Sequence, residues 1–230
     1  MDATTRALAA QASRFHHIEG PLAGAVAALG DCAPAVILYP EIGLSARVHA
    51  LAALRLAPLQ VAAWGHPVTS GLPSIDRWLS CADMEPAEGA LHYRERLHCL
   101  PGLGTCYSRP EPATAWPLAE LGLPSGRPIY LAPHSPVKLH PQFDALLARI
   151  AAADRDACIV MFEDGAPALS ARLSARLRLH LDAHGLDPER HLAWLPRAAP
   201  ERFRGALRAS HVLLDTPGFS GGNTSLDALA

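Results

Sequence analysis

The sequence predicts an α/β chain of two Rossmann-like lobes built on parallel sheets, and three observations carry that prediction. Apolar runs of strand length alternate with helix-length stretches, a texture that implies parallel strands joined by crossover helices. The alternation stops across Pro101, Pro110, Pro112, Pro117, Pro124 and Pro128 and then resumes. At 230 residues, 50% of them hydrophobic, the chain can build one sizeable core or two small ones. The expected organisation is a first lobe over residues 1–105, a proline-rich connection over 106–127 and a second lobe over 128–230.

In the first lobe the run Ala35–Tyr39 reads as a strand, Ser45–Leu54 as a helix, and Leu59–Ala63 as a strand ending in Gly65-His66-Pro67. Ile75–Ser80 and Arg96–Leu100 read as further strands, with a helical turn over Glu85–Leu91 between them. In the second lobe, strands are expected over Ile129–Leu131, Cys158–Phe162, Leu192–Leu195 and His211–Leu214. Helices are expected over Pro141–Ala152, Ala168–His184, Pro200–Arg208 and onward from Asn223, with Gly185 stopping the longest. Helices should cover both faces of each sheet. No first strand is legible before Pro34 and the last helix is cut at Ala230, so both lobes are expected to be incomplete parts of a longer protein.

Composition excludes several function classes. Twenty basic against 22 acidic side chains leave a net charge of -2, without the cationic footprint that nucleic acid or anionic lipid requires. The longest apolar stretches, such as Pro21–Leu29, fall short of the roughly 20 residues that span a bilayer. The N-terminus has neither a cationic patch with an apolar run nor a cleavage site, so a cytoplasmic address is expected. The five cysteines, Cys32, Cys81, Cys99, Cys106 and Cys158, form no Cys-x-x-Cys pair and are expected reduced and mostly buried. Lys138 is the only lysine, beside 19 arginines.

In open parallel sheets ligands bind beyond the carboxyl ends of the strands, which ranks three segments. Leu214 to Asp227 leaves a strand, passes through Gly221 and Gly222, and enters a helix at Asn223 and Thr224; close backbone approach and helix N–H groups there suit a diphosphate. The same segment also fits an ordinary glycine turn with an Asn or Thr N-cap. Ala132 to His140 places Ser135 and Lys138 after another strand, where an ammonium can neutralise a phosphate or else be a solvated surface lysine. Trp64 to Gly71 is the equivalent loop of the first lobe and carries His66, a catalytic or merely structural histidine. Asp154-Arg155-Asp156 matches a metal-holding Asp-x-Asp pattern but precedes a strand, at the wrong end of a sheet. His92, His98, Cys99 and Cys106 fit no tetrahedral metal set, so no metal site is expected.

At these stretches the sequence resembles the SPINDLY-like O-linked N-acetylglucosamine transferases, glycosyltransferase family 41. The matching phrases are Tyr39-Pro40-Glu41-Ile42-Gly43, Arg55 to Val61 running into Trp64 to Asp76, Leu100 to Gly104, Val137 to Asp144, and Leu214 to Leu229, in the family's order across residues 35–230. The resemblance implies a GT-B fold and inverting, metal-independent transfer of N-acetylglucosamine to protein Ser or Thr. The donor, UDP-N-acetylglucosamine, is a substrate, so no cofactor is implied. The donor is held mainly by the second lobe, with the acceptor entering between lobes. Carried onto this chain, Lys138 resembles the lysine on the diphosphate, with Ser135, Gly221, Gly222, Asn223 and Thr224 gripping it. Asp227 resembles the carboxylate on the ribose, Ala198 the backbone contact to uracil, and His66 a first-lobe residue near sugar and acceptor. The resemblance places a tetratricopeptide region and further first-lobe segments in a longer parent, so weak turnover is expected of these residues alone. A non-catalytic UDP-binding or interaction remnant and a sugar-nucleotide epimerase are the alternatives.

Overall fold

The computed structural model describes residues 1–107, 110, 114 and 116–230. Part of the expected proline-rich connection, including Pro112, lies outside the described residues. The chain divides into two compact units, Met1–Cys106 and Tyr107–Ala230.

The first unit opens with two helices that the sequence reading missed, α1 (Ala3–Gln11) and α2 (Leu22–Cys32). Asp2 caps α1 by accepting the Thr5 amide at 2.7 Å, yet α1 buries nothing and α2 buries only Ala25. Weak amphipathic patterning is why neither stood out. There follow β1 (Val36–Tyr39), α3 (Ala46–Ala52), β2 (Leu59–Ala63), β3 (Arg77–Cys81), a one-turn 3-10 helix (Gly89–His92) and β4 (Arg96–Leu100). All strands pair in parallel, in the order β1-β2-β3-β4.

Helices do not cover both faces of this sheet. Ile37, Tyr39, Ala62, Trp78 and Leu97 pack with Val48, Leu51 and Ala52 of α3 and with Leu72, Ile75 and Tyr93 of the later connections. On the opposite face Val36 and Leu38 are 52% and 53% exposed. The reason is topological: right-handed crossovers between strands laid down in one direction put every connection on the same face.

Polar contacts fix the edge of this layer. Gln60 is fully buried; its amide donates to the carbonyls of Leu54 and Ser74, each at 2.9 Å, and accepts from the Leu56 amide. Arg55 pairs with Asp76 at 2.7 Å, and Asp76 also accepts the Gln60 backbone amide. These residues of the resembling motif therefore tie the α3–β2 turn to the start of β3.

The second unit contains β5 (Ile129–Ala132), a 3-10 turn (Pro136–Lys138), α4 (Pro141–Ala153), β6 (Cys158–Phe162), α5 (Pro167–Ala183), α6 (Pro188–His191), β7 (Leu192–Leu195), α7 (Pro200–Ala209), β8 (Val212–Leu213) and α8 (Asn223–Leu229). The parallel order is β7-β6-β5-β8. Travel across the sheet reverses after β7, so connections occupy both faces. On one face Phe143, Leu147 and Ala151 of α4 meet Leu173, Leu177 and Leu181 of α5 over Ile159 and Met161. The four-residue spacing of the α5 leucines aligns them in a stripe, each worth roughly 1.5 to 3 kcal/mol when buried. On the other face Phe203 and Ala206 of α7 pack over Ile129, Leu131 and Val160. β6, all of whose residues are buried, is the continuous apolar run expected of a strand covered on both sides. From the stretch read as a connection, Leu118, Leu121 and Leu123 join this second cluster.

Under α4, Asp144 has a side chain with no exposure and meets Arg176 of α5, Nε to Oδ2 at 2.5 Å, while Arg176 also donates to the Leu139 carbonyl at 2.7 Å. The cysteines correct the sequence expectation: all five are free, but Cys32, Cys99 and Cys106 are exposed and only Cys81 and Cys158 are buried.

Candidate functional site

The second unit's site grows out of the reversal in its sheet. The strand order reverses between β5 and β8, the position at which open parallel sheets bind ligands beyond the strands' carboxyl ends. The loop after β5 delivers His134, Ser135 and Lys138; the loop after β8 delivers Asp215 through Gly222. Lys138, held on the 3-10 turn by its amide donating to Ser135, extends its ammonium across to the second loop. Nζ lies 3.4 Å from the Ser220 carbonyl, which accepts from it, and 4.8 Å from the centre of the Phe219 ring.

Asp215 organises that loop. Its carboxylate accepts from the Thr216 amide at 2.9 Å, the Ser220 hydroxyl at 2.6 Å and the Gly221 amide at 3.2 Å. Burial acts to raise its carboxyl, but these hydrogen bonds and the nearby His134 outweigh it and hold Asp215 below the usual carboxylate range. His134 is 3% exposed, with Nε2 3.0 Å from Asp215 Oδ1 but without hydrogen-bond alignment. Burial lowers its imidazole pKa, ahead of the opposing pull of Asp215. The His134 ring lies against Gly221. A side chain at Gly221 would come within 2.6 Å of Ser225 Oγ and 2.9 Å of His134 Nε2, so glycine is required there. Gly222 caps α8 at φ 60° and ψ -120°, which glycine adopts without strain.

The other site residues expected from sequence divide between the two units. Asn223 and Thr224 open α8, Asn223 exposed and Thr224 half-buried, with no side-chain hydrogen bond to a described residue. Asp227 lies further along α8 and accepts from the Tyr107 hydroxyl. Ser135 donates to Asp164 at 3.2 Å, and both line an open pocket of about 300 Å³ with His134, Arg197 and Ala198. His66 belongs to the first unit, in the loop after β2, where its ring lies against Gly43. That loop is pinned from below: buried Glu95 accepts from the Ser70 amide at 2.9 Å, from the Ser70 hydroxyl and from Thr69 Oγ1 at 2.6 Å.

Sequence reasoning missed Asp215, His134, Asp164 and Glu95 as working residues. An aspartate just past a strand end, before Thr216-Pro217, was the available signal for Asp215; Glu95 gave none, since its partners are 25 and 26 residues away. The Asp154 pattern behaves as read: Asp154 accepts from Tyr130 and Asp156 pairs with Arg190, before β6. No group of three or more His, Cys, Asp or Glu side chains gathers as a potential metal set among the described residues.

Compared with known proteins, the chain matches no protein-family model and no curated protein. Among solved structures it is similar to a point mutant of the O-GlcNAc transferase of Thermobaculum terrenum, with a TM-score of 0.82 and 24% identity. The match covers 100% of this chain and 43% of that one, so the chain spans less than half of the neighbour's length. With two parallel four-stranded α/β units, the chain has a glycosyltransferase fold of the GT-B type.

Proposed function

We propose that this chain is catalytic-region sequence of a protein O-linked N-acetylglucosamine transferase, SPINDLY-like in its motifs, using a UDP-sugar without metal and inverting the anomeric centre. The observation that carries the reading is Lys138: the only ammonium side chain of the protein reaches the glycine-rich loop at the point where the sheet reverses. The acceptor hydroxyl oxygen forms a bond to the anomeric carbon and gives up its proton to solvent as the bond from that carbon to the diphosphate oxygen breaks. Negative charge then collects on UDP, where a positioned ammonium and the amides of the loop stabilise it most.

In this reading Lys138 serves the leaving diphosphate together with Ser135, Gly221, Gly222, Asn223 and Thr224. Ala198 contacts the base through its backbone, and Asp227 binds the ribose. His66 contributes from the first unit to transfer rather than to UDP affinity. The acceptor is a protein Ser or Thr, the setting cytoplasmic, and the parent protein carries a tetratricopeptide region. No helix among the described residues is long and apolar enough to cross a membrane.

The test is calorimetry with UDP and UDP-N-acetylglucosamine, followed by product analysis on a Ser/Thr peptide with and without chelator. Saturable UDP binding and chelator-insensitive transfer support the reading. UDP binding without transfer or UDP release favours the non-catalytic remnant, and absence of binding removes the assignment altogether.

A further inference from the structure

The phenol of Tyr107 is hydrogen-bonded to Asp227 Oδ1, joining the first residue of the second unit to its last helix across 120 positions. Three surrounding facts give this contact weight. No residue of α8 is fully buried, and the helix packs against α7. The half-buried Asp227 accepts at Oδ1 from Tyr107, and no described residue donates to its Oδ2. Arg204 of α7 lies close enough to act electrostatically on the Tyr107 hydroxyl, with its own Nε buried and unpartnered among the described residues. A carboxylate offers about four acceptor positions, so one oxygen can be held while the other remains available.

We propose that Tyr107 is a positioning residue for ribose recognition, holding Asp227 by one oxygen so that the other faces a nucleotide's ribose hydroxyls. The proposal rests on the UDP-binding reading above. Its chemistry is a directed acceptor: a carboxylate free to rotate binds a diol less well than one already fixed, because the fixing is completed before the ligand arrives. Loss of the phenol oxygen should therefore weaken the ribose contact and spare the diphosphate contacts made by Lys138.

The experiment compares UDP with 2′,3′-dideoxy-UDP, which lacks both ribose hydroxyls, by calorimetry on the full chain. Wild type should prefer UDP by at least tenfold or so, the scale of a hydrogen bond to a charged group. Tyr107→Phe should weaken UDP by about fivefold to tenfold and leave the dideoxy nucleotide within about twofold, compressing the preference. In an Asp227→Asn background the same Tyr107→Phe change should add nothing. Equal weakening of both nucleotides would mean a general structural role and overturn the proposal, as would unchanged or tighter UDP binding, the latter because Tyr107 then competes with ribose. Wild type that binds UDP without preferring it removes Asp227 from the ribose. Wild type that binds neither nucleotide overturns the functional reading itself.

Discussion

Lys138 Nζ, from the loop that follows β5, donates to the Ser220 carbonyl of the loop that follows β8, at 3.4 Å. One loop supplies the charge and the other the backbone oxygen. That hydrogen bond is long, and the aromatic face of Phe219 at 4.8 Å is a modest second partner for the ammonium.

Lys138→Ala should weaken UDP by roughly 1.5 to 3 kcal/mol while leaving the thermal transition within about 0.5 kcal/mol of wild type, because the side chain packs little. Lys138→Arg should restore only part of the affinity, since a planar fork replaces a compact ammonium. Titration calorimetry paired with thermal melts reads both. Unchanged UDP affinity in Lys138→Ala would take the lysine out of the site.

Gly221→Ala places a carbon 2.6 Å from Ser225 Oγ and 2.9 Å from His134 Nε2. The loop must shift, at a cost of about 1 to 3 kcal/mol typical of overpacking, and UDP affinity should fall with it. Adding Ser225→Ala relieves the closer clash and should recover a measurable part. A Gly221→Ala protein with wild-type affinity would show that the loop's shape does not matter to binding.

The first unit should be acid-sensitive through Glu95. Burial acts to raise its carboxyl, but hydrogen bonds from Ser70 and Thr69 outweigh this and hold it below the ordinary glutamate range. A depressed folded-state pKa contributes stability that is present above the unfolded value and is lost as pH falls through the folded one. Thermal melts from neutral pH down through the carboxylate range should show that loss, and Glu95→Gln should flatten it. A wild-type acid profile indistinguishable from that of Glu95→Gln would assign the sensitivity elsewhere.

Arg176→Ala should destabilise the second unit by about 3 to 5 kcal/mol, because Asp144, with no exposed side-chain surface, is left charged and without its main partner. His180, 4.0 Å from the same carboxylate oxygen, can compensate in part when protonated. The double change Asp144→Leu with Arg176→Leu should cost less than the single one. Denaturant unfolding measures the difference, and additive losses would argue against a coupled pair.

How much of this was legible beforehand follows from the range of the forces. Strands Leu59–Ala63, Arg96–Leu100, Cys158–Phe162 and Leu192–Leu195 carry a local signal in the residues themselves, and the bounds read from sequence are those of the structure. The sequence also marked α4 and α5, whose periodicity is a local property, and the strand-to-glycine passage around Gly221. By contrast α1 and α2, with almost nothing buried, left no pattern to read. Tertiary structure decided what depends on strand order: the exposure of Val36 and Leu38 in one unit, and the double cover in the other. It also decided the partners of Glu95 and Tyr107. Their hydrogen bonds join segments that no period or spacing connects, because a carboxylate's partners are set by where the backbone folds and not by the residues beside it.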